Sequence, residues 1–229
     1  MTLEFAIRLT EILTGFAFIQ QSMEHIFAPR NEQILFIPRI ILCVFLILGF
    51  ETAWASLALI VLALLMLNRF QGPYNGGSDR MSLLLLSCLC LVHFLPEQSW
   101  RELVFGYLAL QLVMSYFISG WVKIINPEWR NGLALNDVFR YSSYPVSEHL
   151  RGLWNWPKLL LVMSWAVISF ELIFPLTLIS QPTLILGLVI AATFHLANAF
   201  LFGLNRFFWI WLAAYPSIIW LQYRIFDAF

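Results

Sequence analysis

Charge is the first thing this sequence lacks. Only 11% of its 229 residues are Asp, Glu, Lys or Arg, against about 25% in a typical soluble domain, so it cannot clothe a water-exposed surface. The 13 basic and 13 acidic residues cancel, and they form no polybasic tail or acidic block. Nucleic acid is therefore not an expected partner. Cysteine is scarce too: Cys43, Cys88 and Cys90 all lie in apolar runs, where a thiol behaves as a small hydrophobe. Redox work by the Cys88-Leu-Cys90 pair would need partial exposure and a stabilised thiolate. His93 and His149 stand isolated, with no HxxxH or ExxH spacing. Walker loop, nucleotide-binding glycine fingerprint, GxSxG elbow and haem-attachment motif are all missing, so no metal or nucleotide cofactor is expected. A cleavable signal peptide is not expected either, because Glu4, Arg8 and Glu11 interrupt the first apolar stretch and no small-residue cleavage pattern follows it.

Apolar residues are what the chain has in excess. They make up 61% of it, the mean hydropathy is +0.80, and runs of roughly bilayer-spanning length, about 20 residues, recur from end to end. This pattern predicts an all-α, polytopic transmembrane helical bundle forming a single domain over residues 1–229. About eight membrane segments are expected, within a range of about seven to nine: Phe5–Phe27, Ile34–Phe50, Ala53–Leu67, Met81–Leu95, Leu103–Ile125, Leu159–Ile179, Leu184–Leu204 and Phe207–Leu221. The second and third are short enough to form a tight hairpin around Gly49–Thr52.

The first segment is the least lipid-like, with Arg8, Glu11, Gln20, Gln21, Glu24 and His25 among its apolar residues. It is expected either to pack inside the bundle or to lie at the interface. Glu4 with Arg8, and Gln21 with His25, are four residues apart and able to share a helix face. The linker Arg69–Arg80 is turn-rich, and Ser78 or Asp79 is placed to cap the next helix. The longest polar stretch, residues 126–157, mixes Glu128, Arg130, Asp137, Arg140, Glu148, His149 and Arg151 with Trp129, Trp154 and Trp156. Tryptophan among charges marks the headgroup layer, so a short interfacial helix is expected there.

Three ionisable residues sit where lipid would penalise them. Lys123 ends the run Leu103–Val122; it either snorkels to headgroups or is held near a pocket as a base. Glu171 and His195 are each mid-segment, where an ionisable group costs several kcal/mol (roughly, and depending on depth) unless paired or functional. One reading is a mutual interhelical hydrogen bond that locks the bundle; the other is a functional polar site. His195, Asn198 and Phe202 share a helix face by spacing.

The run Tyr116-Phe-Ile-Ser-Gly-Trp-Val-Lys123-Ile-Ile-Asn-Pro-Glu-Trp129-Arg-Asn-Gly132 resembles a segment of the vitamin K-dependent gamma-carboxylases and their bacterial relatives, the HTTM family. In that segment an aromatic-rich helix ends in Gly and Lys before an acidic-Trp turn and Gly; here the Lys-to-Trp spacing is one residue longer. The run from Phe194 and His195 through Arg206 to Ala214 is similar to the family's histidine helix and aromatic final segment. Tyr74-Asn-Gly-Gly-Ser-Asp79 is similar to its Gly-Gly-Asp linker, with an added Ser.

The resemblance implies a quinol-dependent, carboxylase- or epoxidase-like membrane enzyme. Lys123 would be the base toward a quinol-like lipid whose oxygenation drives proton abstraction from a protein glutamate. Glu171 and His195 would be further residues of the catalytic pocket, with Tyr116, Trp129, Asn198 and Phe202 around the quinol. Family carboxylases append a large soluble region, whereas this chain ends at Phe229. A smaller quinol or lipid reaction is therefore expected, with a separately encoded redox or soluble partner, in a bacterial cytoplasmic membrane. The alternative is a non-catalytic membrane module that assembles with or protects a partner protein. Orientation divides the two lines of argument. With eight spans, the connections at Arg30, Arg69–Arg80, Asn126–Lys158 and Arg206 share one side, which the positive-inside rule makes cytoplasmic. The resemblance implies the reverse, and the charge rule is preferred.

Overall fold

The computed structural model describes residues 1–27, 30–69, 76–141 and 148–226. Among these residues lie eight long α-helices, three short ones and no strand. The long helices are α1 (Leu3–Met23), α2 (Arg30–Leu48), α3 (Thr52–Arg69), α4 (Gly77–Phe94), α5 (Gln98–Ile125), α9 (Pro157–Ile173), α10 (Gln181–Phe202) and α11 (Asn205–Phe226). The short ones are α6 (Pro127–Arg130), α7 (Leu133–Tyr141) and α8 (Glu148–Arg151). Each of the eight predicted apolar runs coincides with one long helix, the Leu159–Ile179 run continuing from α9 into a 3-10 turn, and the architecture is all-α as expected. Five of them are long and apolar enough to cross a membrane: α3, α4, α5, α10, and α9 taken with its 3-10 continuation to Ile179. The Gln33–Leu48 stretch of α2 is apolar but shorter. The helices gather into two compact units, Met1–Leu110 with Arg206–Phe229, and Gln111–Asn205.

In the first unit α1 packs inside the bundle, as its polar content requires. Glu11 is only 2% exposed; its carboxylate accepts from Arg8 at 2.7 Å and meets His93 Nε2, which also contacts the Thr52 hydroxyl at 3.1 Å. Arg8 also donates to the carbonyls of Leu46 and Ile47, satisfying the C-terminal end of α2 where a cation is favoured. Glu4 and Arg8 share α1 at one-turn spacing, as expected, but do not pair with each other. Glu4 pairs with Arg101 at 2.7 Å, because the carbonyls ending α2 and Glu11 already occupy the Arg8 guanidinium. Nor do Gln21 and His25 share a helix face, since α1 ends at Met23. The α2–α3 hairpin turns through Gly49 at φ +77° and Glu51 at φ +47°. Neither Ser78 nor Asp79 caps α4: the cap is Gly76, without a side-chain bond. The helix starts earlier than the apolar run does, so both residues fall in its first turn, where Asp79 complements the helix dipole. Tyr74 and Asn75 of the glycine linker lie outside the described residues.

The second unit carries the polar stretch 126–157. One short helix was expected; the described residues form α6, α7, α8 and a 3-10 turn at Gly152–Asn155, while Ser142–Ser147 lie outside the description. Asn126 caps α6 by accepting from the Glu128 amide at 2.9 Å, and Pro127 occupies the first turn, where no amide is needed. Gly132, at φ +73°, breaks the chain before α7, a backbone state that L side chains avoid. Helix α7 is amphipathic, burying Leu135 and Phe139 while Asp137 and Arg140 are exposed. Its apolar face joins Leu160 of α9 and Phe202 of α10 in one cluster. Pro175 cannot continue the α ladder, and α9 tightens into a 3-10 turn over Phe174–Ile179.

Candidate functional site

The site forms in the second unit, from α5, α6, α9 and α10. Tyr116, Ser119, Gly120 and Lys123 lie at helical spacing along one face of α5. At Gly120 that face meets α9 so closely that an added Cβ would stand 2.9 Å from Glu171 Cβ and from the Leu172 amide nitrogen. Only glycine permits this approach, and it brings Glu171 within reach of the lysine.

Lys123 Nζ donates to both oxygens of Glu171, at 2.9 and 2.7 Å, and to the Ser119 hydroxyl at 2.5 Å. Ser119 in turn donates to Glu171 at 3.2 Å. Side-chain exposure is 14% for Lys123 and 4% for Glu171, so the pair is largely out of water. Of the two readings of Lys123, retention near a pocket is the one realised. A helical Cα–Cβ bond tilts toward the N-terminus, which carries the ammonium back over Ser119 rather than outward past Asn126. The Trp129 ring centroid lies 5.2 Å from Nζ, inside cation–π range. Trp129 is fixed by its backbone, since its carbonyl accepts from Ser164 at 2.6 Å and the neighbouring Arg130 carbonyl from Trp165 at 3.1 Å.

The proposed Glu171–His195 hydrogen bond is replaced by two separate pairings. Glu171 takes the ammonium, whose charge-assisted bonds are roughly twice as strong as a neutral one. His195 Nε2 meets the Tyr116 hydroxyl at 2.7 Å. Both residues face the interior, at 3% and 1% exposure. Phe174 packs on the Tyr116 ring at 4.1 Å between centroids, with Phe170 at 5.9 Å.

Beside Lys123 is a cavity of about 170 Å³. Lys123, Trp129, Asn198 and Phe202 line it, with Leu135, Val138 and Phe139 from α7, Met163 and Val167 from α9, and Phe194, Ala197 and Leu201 from α10. The predicted residues thus divide. Four are on the wall, Glu171 holds Lys123 from the side, and Tyr116 and His195 pair with each other away from it. Ser119 and the α7 wall were missed. Ser119 was detectable as the residue one turn before Lys123, whereas no local signal points Phe139 at α10. Among the described residues no group of three or more His, Cys, Asp or Glu comes together to hold a metal.

The family model described as HTTM domain matches residues 95–222, just over half of the chain. The chain belongs to the HTTM family. It is an integral, multi-pass membrane protein of that family, and its partner in the plainest sense is the lipid bilayer. The matched HTTM region contains all the site residues named above, while the Tyr74–Asp79 linker precedes it. Compared with curated proteins and with solved structures, the chain matches none.

Proposed function

We propose that this HTTM protein, with residues 1–229 acting as one domain, is a membrane enzyme that deprotonates a quinol-like, lipid-soluble substrate. The supporting observation is the Lys123–Glu171 dyad at the edge of an aromatic cavity of about 170 Å³. An apolar cavity of about 150 Å³ accepts benzene, so this one suits a single substituted ring. Its apolar walls hold the ring, and Asn198 is the neutral polar group that orients a ring oxygen.

An ammonium cannot accept a proton, so the dyad must work as a unit. As Lys123 Nζ takes the proton from the substrate hydroxyl, it passes one of its own to Glu171. The dyad begins as ammonium and carboxylate and ends as ammonium and carboxylic acid, one proton richer. The oxyanion then faces the ammonium, and the Trp129 ring favours the cation throughout. Residues 126–157 lie along the membrane surface in this reading, with the apolar face of α7 roofing the cavity. The enzyme resides in a bacterial cytoplasmic membrane with a separately encoded redox or soluble partner.

A non-catalytic module that assembles with another protein is the second reading, favoured by the closed, self-neutralised ion pair. Binding of a monocyclic quinol to purified protein, followed by quenching of Trp129, tests the two. Saturable binding that is lost on Lys123→Ala with retained folding supports the enzyme. Absence of binding to the wild type refutes it.

A further inference from the structure

The first unit holds a much larger groove that plays no part in this chemistry. It runs between α5 and α11, with a volume of about 770 Å³. Ser99, Glu102, Leu103, Gly106, Tyr107 and Leu110 form its α5 wall, a continuous stripe at three- and four-residue spacing. Trp220, Leu221 and Arg224 form the α11 wall. Charged groups collect at one end only. There Arg224 donates to Glu102 at 3.1 Å, and Gln98 donates to the other Glu102 oxygen at 3.3 Å. Past Glu102 the α5 wall consists of Leu103, Gly106, Tyr107 and Leu110, about 11 Å from first to last at 1.5 Å per residue. That length lies within one leaflet, half of a hydrocarbon core about 30 Å thick.

We infer that this groove is a binding site for a zwitterionic phospholipid bearing a primary amine. One acyl chain lies along Gly106, Leu110 and Leu221, the phosphate meets Arg224, and the ammonium meets Glu102. The ion pair opens to admit the head group, which is inexpensive because the Arg224 side chain is 55% and that of Glu102 27% exposed. Charge complementarity selects the head group: an anionic lipid would satisfy Arg224 through its phosphate but bring no cation to Glu102. A partner helix fits less well. Close helix contact needs small residues four apart, and the positions four residues either side of Gly106 are Glu102 and Leu110.

The test uses the full chain reconstituted in nanodiscs of equimolar phosphatidylethanolamine, phosphatidylcholine and phosphatidylglycerol, with lipids retained after detergent transfer counted by native mass spectrometry. The expected result is one retained phosphatidylethanolamine. Gly106→Leu fills the groove, and folding is preserved because a Cβ at this position meets only ordinary contacts, 3.7 Å to Leu221 and 3.8 Å to Trp220. This variant should lose the retained lipid, and Arg224→Gln should weaken retention about fivefold, the factor set by one partly exposed ion pair. Equal retention of all three lipids, or retention unaffected by Gly106→Leu, overturns the proposal. A dimer that Gly106→Leu abolishes also overturns it, in favour of a second copy on this face.

Discussion

Replacing Lys123 by methionine keeps the side-chain length and removes the charge. It leaves the Glu171 carboxylate, 4% exposed, with only the Ser119 hydroxyl as donor. Breaking a buried ion pair from one side costs about 3–5 kcal/mol, since the remaining charge has neither water nor partner. For a chain of this length 1 kcal/mol moves the melting temperature by roughly 2–4 °C, so Lys123→Met should melt about 6–20 °C below wild type. Replacing both residues, Lys123→Met with Glu171→Met, removes the stranded charge along with its partner, and apolar side chains of similar volume should restore most of the loss. Glu171→Met alone should fall between. The assay is thermal unfolding of the detergent-solubilised protein, followed by tryptophan fluorescence across the four-member mutant cycle. A loss under about 1 kcal/mol for Lys123→Met, as for an exposed pair, would refute the argument. So would single-variant losses that add in the double variant, because coupled neighbours depart from additivity by about 0.5–3 kcal/mol.

Gly120→Ala should push α5 from α9 and destabilise the protein by about 1–3 kcal/mol, the usual cost of overpacking, whereas Gly152→Ala, which meets nothing within 4 Å, should leave the melting temperature close to that of wild type. With the three native cysteines replaced and both membrane faces opened to reagent, cysteines introduced at exposed Asp137 and Arg140 should react with a lipid-insoluble thiol reagent, and those at buried Leu135 and Phe139 should not. Protection of Asp137 and Arg140 would sink the surface placement of α7. A reporter fused after Phe229 should be active outside the cytoplasm, following the positive-inside rule; cytoplasmic activity there would restore the orientation implied by the carboxylase resemblance.

Helix positions were legible because apolar runs and Pro or Gly punctuation are local signals. Each run holds one long helix, with a 3-10 turn closing the Leu159–Ile179 run, and the turn at Gly49–Thr52 stands at its expected place. The boundaries drifted by a few residues where polar side chains extend a helix beyond its apolar part, and this moved the cap of α4 from Ser78 or Asp79 to Gly76. The site was legible as a set of residue types rather than as a set of contacts. That Glu171 and His195 turn inward follows from the cost of ionisable groups in lipid. Their partners do not, because Lys123 and Tyr116 lie 48 and 79 positions away in the chain. What decides them is the closeness of α5 and α9 at Gly120, a feature of the folded chain with no counterpart in local pattern.

Helix α5, with 28 residues, is about 42 Å long at 1.5 Å per residue, some 12 Å more than the hydrocarbon thickness of about 30 Å. The 21 positions from Glu102 to Lys123 span about 31 Å of that length, almost the thickness itself. If Glu102 is anchored in one headgroup layer, Lys123 stands at the opposite boundary when the helix is upright and sinks below it as the helix tilts. Hydrophobic mismatch thereby becomes a control on hydration: a thicker bilayer draws the lysine into the acyl region and a thinner one lifts it toward water. Proton exchange at the dyad should then depend on the lipid chain length in which the protein is reconstituted, with no change in any residue of the site.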